Sequence, residues 1–212
     1  MKIEVDLSNI HPQVREHFPD FDYHTPAHPE LLDMRRPDNI TGHWQRTFSV
    51  YWALKQCLST GKVGLDIGSG GCITPYTIGM DRYVGEHPFY GGTCRPTMRC
   101  CGEDLSVFSS DIFPLVLSNH SIEHMEVTGD AGVVCMLREH WLRVLEPGGI
   151  LAMIVPDNAH CDVLAIDKSH FHAWTANEFR HNIVGHLCDL VAVLEYNAFC
   201  TYHSFECVLQ KR

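Results

Sequence analysis

The sequence predicts an α/β protein, in which short apolar strands alternate with loops and helices as in a helix-covered sheet. Three stretches carry that expectation. Lys62-Val-Gly-Leu-Asp-Ile-Gly-Ser-Gly-Gly71 reads as a buried strand, Val63 to Ile67, running into a glycine-rich turn. Val134, Leu137, Trp141, Val144 and Leu145 fall on one stripe of an amphipathic helix. Glu146-Pro-Gly-Gly149 stops that helix, and Ile150 to Val155 follows as an apolar strand closed by Pro156.

Composition bounds what such a chain can do. At 212 residues it is one large domain, or a domain with an extension. Folding at that length buries roughly 70% of the surface exposed by the unfolded chain, enough for a core. Apolar content of 45% and charged content of 20% fit a soluble globular protein. No apolar run reaches the ~20 residues of a membrane span. Met1-Lys-Ile-Glu-Val-Asp6 lacks the apolar stretch of a signal peptide, so a cytoplasmic location and no membrane partner are expected. A net charge of −10 argues against sequence-independent binding to nucleic acid. The ten cysteines contain no Cys-x-x-Cys and read as free thiols. The fifteen histidines show no zinc-finger spacing, and no metal ligands are assigned.

The elements follow in chain order. Residues 1–43 are punctuated by Pro12, Pro19, Pro26, Pro29 and Pro37 and form an irregular, histidine-rich arm that can fold over a pocket as a lid. The domain proper spans residues 44–212. Trp44, Phe48, Tyr51, Trp52, Lys55 and Leu58 have helical spacing, and Gly61 suits the C-terminal cap. A second strand runs from Tyr76 to Met80 and ends at Asp81. The interval from Ser69 to Pro75 is too short for the usual crossover helix. Glu86 to Cys101 reads as a loop, and the run Phe113 to Ser118 holds a strand from Leu115. Thr128 or Asp130 can cap the helix that follows. Thr175-Ala-Asn-Glu178 has capping-box spacing. His186 to Leu194 and Thr201 to Leu209 read as a final strand pair.

The chemistry gathers where the first strand ends. Asp66 lies at its carboxyl end, the edge at which open parallel sheets bind ligands. Gly68, Gly70 and Gly71 can take positive φ and let backbone approach a ligand. The pattern Asp-x-Gly-x-Gly-Gly differs from the Gly-x-Gly-x-x-Gly of nicotinamide-dinucleotide binders. Then come an acid at the end of strand two, Glu103-Asp104, a strand before Ser118, and the helix–Pro-Gly-Gly–strand unit.

In that order, from Lys62 to Asp157, the chain resembles the class I S-adenosylmethionine-dependent methyltransferases. Phe205-Glu-Cys-Val-Leu-Gln210 is similar to their last, antiparallel strand. The resemblance implies a Rossmann-like, mostly parallel seven-stranded sheet with one antiparallel strand and helices on both faces. It implies S-adenosylmethionine as cofactor and S-adenosylhomocysteine as product. Gly68, Ser69 and Gly70 would meet the methionine part, and Asp66 would order the turn or bind the ammonium through water. Asp81 would accept hydrogen bonds from both ribose hydroxyls, as a charged acceptor does well. Asp104 would take the adenine amino group, with Leu105 supplying a backbone contact or an apolar wall. Ser118 and Asn119 would line the strand end beside the sulfonium. The short interval after Gly71 puts the family's first helix in doubt.

His120-Ser-Ile-Glu-His124 is His-x-x-Glu-His, a zinc-hydrolase string when it lies within a long helix, with His120, Glu123 and His124 as the residues concerned. Here it follows a strand directly, where this family often has Glu-His. His120 and His124 are the candidate catalytic residues; an unperturbed histidine has a pKa of ~6.5, which suits general-base work at neutral pH, and His120 could take that role. His160, His170, His172 and Trp174 fall on loops bordering the active edge and are candidate acceptor contacts. No Asn-Pro-Pro-Tyr-like tetrapeptide follows the fourth strand and no Pro-Cys pair is present, which argues against DNA amino or cytosine C5 methylation. The expected activity is methyl transfer to a small-molecule acceptor. A non-catalytic cofactor-binding scaffold of the same fold stands as the alternative. Oligomeric state is not assigned.

Overall fold

The structure, a computed structural model, describes residues 42–58, 60–70, 73–86, 93–94, 96–200 and 203–212. The expected arm and its lid role lie outside them, except for Gly42 and His43, which open the first helix. Strands β1 (Gly64–Ile67), β2 (Thr77–Asp81), β5 (Met98–Arg99), β6 (Phe113–Asn119), β7 (Leu145–Pro156), β8 (Val191–Cys200) and β9 (Ser204–Lys211) form one sheet. Their order is β5-β2-β1-β6-β7-β9-β8. β3 (Gly85–Glu86) and β4 (Thr93–Cys94) make a separate antiparallel ribbon. The pairs β1·β2, β1·β6, β2·β5 and β6·β7 are parallel, whereas β9 runs antiparallel to both β7 and β8. A Rossmann-like, mostly parallel sheet with one reversed strand is therefore present.

Alternation along the strands divides the core in two. Leu115 and Leu117 of β6, Ile150, Ala152 and Ile154 of β7, and Val208 of β9 point to one face. There they meet Phe48, Tyr51 and Trp52 of helix α1 (Gly42–Ala53), which continues in a wider turn to Leu58. Val116, Leu151, Met153, Val155, Phe205, Cys207 and Leu209 point to the opposite face. That face is covered by α2 (Gly129–Met136, extended through Leu142) and α4 (Ala176–Glu178, extended to Leu187); between them lies the short α3 (Val163–Ile166). Burying each such aliphatic or aromatic side chain contributes about 1.5–3 kcal/mol.

Local signals behave as their chemistry requires. Gly61, at φ +67°, ends the first helix, and the Lys62 N–H reaches back to the Cys57 carbonyl at 3.1 Å. The Thr175 hydroxyl accepts from the Glu178 N–H while the Glu178 carboxylate accepts from the Thr175 N–H, a complete capping box.

Several boundaries need correction. Val63 is exposed and β1 begins at Gly64. The expected loop from Glu86 to Cys101 contains the edge strand β5, whose Met98 and Arg99 pair with Met80 and Asp81. β7 begins before the Pro-Gly-Gly turn: Leu145 pairs Phe113, the chain bulges, and Ile150 pairs Leu115. Residues Val184–Leu187 are a helical turn, so the expected strand from His186 starts only at Val191. Thr128 occupies the N-cap of α2 without a side-chain bond, and Asp130 is used elsewhere. Residues 68–76 join β1 to β2 with no helix among the described residues, as the short interval required.

Candidate functional site

The carboxyl ends of β1, β2 and β6 converge on the glycine turn. Gly68 and Gly70 sit at φ +70° and +56°, the left-handed region that favours glycine. The N–H groups of Gly68 and Ser69 donate to the Met80 carbonyl at 2.8 and 3.0 Å. Two acids hold the rest of the segment. Asp66 Oδ2 accepts from the Thr74 N–H at 2.9 Å. Asp81, only 8% exposed, accepts from the Gly70 N–H through Oδ2 and from the Tyr83 N–H through Oδ1, both at 2.9 Å. A carboxylate offers about four lone-pair sites, so each Asp81 oxygen retains acceptor capacity for a further donor.

β6 closes the other side. The Ser121 hydroxyl, just past its end, donates to the Ile67 carbonyl at 2.7 Å and packs under Gly68, where a Cβ would lie 2.6 Å from the Ser121 Cβ. Among the described residues, the buried Oγ of Ser69, Oγ of Ser118 and Oδ1 of Asn119 have no hydrogen-bond partner. Unsatisfied buried polar atoms are few in folded proteins and call for a partner. Three of them at one sheet edge, beside an acid and two positive-φ glycines, suit a polar ligand with donors of its own.

A third acid is placed less favourably. The Asp104 side chain is 65% exposed and caps its own turn by accepting from the Ser106 N–H at 2.8 Å. Leu105 is fully buried. Its N–H donates to His140 Nδ1 at 3.1 Å and its carbonyl accepts from Arg143 at 2.7 Å, so the expected Leu105 backbone contact to a ligand is corrected: both groups are already used.

A second constellation follows β6. His120 stands at φ +51°, with Nε2 3.0 Å from the Ser204 hydroxyl and Nδ1 3.5 Å from Glu123 Oε1. Glu123 is entirely buried in the helical turn Ile122–His124. Burial alone would push its carboxyl up, but His120 and His124 outweigh that and hold it below the ordinary range. Burial pushes the His124 imidazole down, favouring its neutral form. The zinc-hydrolase geometry that the string His120-Ser-Ile-Glu-His124 would need is not formed, as its place directly after a strand implied: a single three-residue turn stands where a long helix would put both histidines on one face. His170, from the loop after α3, reaches the same carboxylate.

Two other expected acceptor contacts are corrected. Trp174 is 4% exposed, donates to Asp130 Oδ1 at 2.8 Å and packs edge-on against Phe179. His172 stacks on Trp174 with Nε2 2.9 Å from the Met125 carbonyl, and burial pushes it down. Both are core. His160 remains partly exposed, 3.9 Å from Asp157. Sequence reasoning missed Ser121, whose only local signal is its place two residues past Asn119. It also missed the meeting of His170 with Glu123, for which no local signal exists.

No protein-family model and no curated protein matches the chain. Solved structures do. A chain from the complex between the Haloferax volcanii Trm112 methyltransferase activator and a methyltransferase is similar at TM-score 0.54 and 16% identity, over 87% of this chain and 95% of that one. An S-adenosylmethionine-dependent methyltransferase from Mesorhizobium loti matches at TM-score 0.48 and 14% identity, over 77% and 98% of the two chains. The N-methyltransferase NodS from Bradyrhizobium japonicum, in complex with S-adenosylhomocysteine, matches at 0.48 and 14%, over 85% and 97%. At such identity the first likeness speaks for the fold alone.

Proposed function

We propose that this chain is an S-adenosylmethionine-dependent methyltransferase acting on a small-molecule acceptor. The observation that carries the reading is the clasp of Asp81 on Gly70, set beside the unsatisfied oxygens of Ser69, Ser118 and Asn119. The described residues fit the amino-acid and ribose parts of that cofactor. Gly68 and Gly70 expose backbone, Asp81 has acceptor capacity left, and Asp66 keeps the turn in shape. Asp104 would reach an adenine amino group from the solvent side. Bound there, S-adenosylmethionine supplies a methyl group already activated on its sulfonium.

The protein's own task is then positioning and exclusion of water, worth on the order of 7 to 11 kcal/mol at best. An acceptor that must lose a proton needs a base, and His120, directly after Asn119, takes that role in this reading. The net charge of −10 supports a small acceptor over a polyanion. No described helix is long and apolar enough to cross a membrane.

Titration calorimetry with S-adenosylhomocysteine tests the reading. Binding is expected, weakened roughly 10- to 150-fold in Asp81→Ala, the equivalent of about 1.5–3 kcal/mol for a charged hydrogen bond. No heat at millimolar ligand, or equal affinity in the variant, refutes it. Binding without labelled-methyl transfer to any small molecule or RNA offered would leave the non-catalytic scaffold instead.

A further inference from the structure

We propose that Glu123, His124 and His170 form a binding site for one divalent transition-metal ion, with zinc the expected occupant. The ligating atoms of these three residues lie within 4.8 Å of one another. His124 Nε2 is 3.9 Å and His170 Nε2 4.0 Å from the same oxygen, Glu123 Oε1. The two rings meet at 4.5 Å between centroids.

The hydrogen bonds on the far side of each ring fix which nitrogen faces inward. His170 Nδ1 lies 2.6 Å from the Val163 carbonyl, which can only accept, so Nδ1 carries the proton. His124 Nδ1 lies 3.2 Å from the Ser169 carbonyl and 3.0 Å from the Ser169 hydroxyl. That hydroxyl gives its own proton to Asp167 Oδ1 at 2.7 Å, so both Ser169 groups accept, and His124 Nδ1 is protonated too. In their neutral forms both rings therefore turn an Nε2 lone pair toward Glu123. Anchoring of the distal ring nitrogen by a carbonyl or hydroxyl is how metal-binding histidines are held.

The carboxylate itself makes the independent case. Glu123 is wholly buried, and among the described residues neither of its oxygens makes a hydrogen bond, the nearest group being His120 Nδ1 at 3.5 Å from Oε1. With His124 and His170 neutral, two lone pairs face a buried, charged oxygen, an arrangement that is costly unless a cation stands between them. A cation between the three groups reverses the sign of each interaction. Two imidazoles and one carboxylate suit zinc and its neighbours in the transition series. Ligand distances of about 2.0–2.1 Å place tetrahedral donors roughly 3.3 Å apart, so each histidine must approach the carboxylate by about 0.6–0.7 Å, and a pair at the 4.8 Å limit must close by about 1.5 Å. Three protein ligands leave a fourth position open. The loop is already drawn in, since the N–H groups of Phe171 and His172 both donate to the Glu123 carbonyl. The ion would fasten the 163–172 loop to the turn after β6. This departs from the expectation of no metal, because His170 is 46 positions beyond His124 and carries no motif.

The full chain, stripped of metal and titrated with zinc by calorimetry and thermal shift, tests the site without any nucleoside ligand. The chain's other histidines can take up zinc, so the variants decide. One tight equivalent that raises Tm in the parent and in His160→Ala, but is lost at least 10-fold in both Glu123→Gln and His170→Ala, is the expected result. Cobalt in place of zinc should give a tetrahedral visible spectrum that disappears in the same two variants. Absence of a tight equivalent, or its retention in either Glu123→Gln or His170→Ala with the fold intact by circular dichroism, overturns the proposal. If His170→Ala fails to fold, Glu123→Gln, which keeps the side-chain volume, carries the decision. Either failure leaves S-adenosylhomocysteine binding, measured separately, untouched.

Discussion

Replacing Gly68 and Gly70 one at a time with alanine separates two costs that coincide in the glycine turn. Both residues have positive φ, so either substitution places an L side chain in the left-handed region, at about 1–2 kcal/mol. Around Gly70 none of the described residues lies within 4 Å of an added Cβ. At Gly68 the new carbon would sit 2.6 Å from the Ser121 Cβ, and no rotation of the Ser121 side chain moves that atom away. Forcing an extra carbon into packed surroundings adds about 1–3 kcal/mol. The expected loss is therefore about 2–5 kcal/mol for Gly68→Ala against about 1–2 for Gly70→Ala. At roughly 2–4 °C per kcal/mol for a chain of this size, Tm should fall by about 4–20 °C and about 2–8 °C. Equilibrium urea unfolding gives the free energies directly. Equal losses within ~0.5 kcal/mol, or a larger loss at Gly70, would refute the placement of Ser121 beneath the turn.

Two further substitutions probe the scaffold. Thr175→Ala removes one arm of the capping box and should cost about 0.5–2 kcal/mol in thermal denaturation; an unchanged Tm would remove that cap from the fold's stability. Trp141→Phe strips the donor that reaches the Gly102 carbonyl at 2.8 Å inside the core, leaving that acceptor unsatisfied at about 1–3 kcal/mol by urea unfolding. A loss under ~0.5 kcal/mol would mean that water or a shifted neighbour replaces the indole.

What was legible in the sequence was written locally. Helical spacing placed Phe48, Tyr51 and Trp52 on one face, a three-residue interval marked Thr175 and Glu178, and Gly61 announced a helix end. These signals arise from hydrogen bonds and side-chain directions within a turn or two of chain. The alternation that splits Leu115 and Leu117 from Val116 was visible as an apolar run, but not which face belonged to which helix. The missed features depend on the path of the chain in space. A Leu105 backbone contact to a ligand is ruled out by His140, which takes its N–H, and nothing near Leu105 in sequence shows this. Trp174 and His172 sit on a loop by sequence, yet a bridge between Asp157 and Trp174 folds that loop back against the domain and Asp130 claims the indole. β5 escaped notice because two residues joined to an edge carry no periodicity.

The link between β1 and β2 has a consequence for how disturbance spreads. A full crossover helix would roof that flank of the sheet with many side chains sharing the work. Here the Ile73 side chain rests over Gly79, so near that a methyl on the glycine would come within 2.8 Å of Ile73 Cδ1. Asp66 grips the chain one residue further on, at Thr74. Any bulk added at position 79 therefore levers Ile73 outward and tugs the grip at Thr74. A change in the sheet's interior would thereby be felt at its rim, through a single isoleucine.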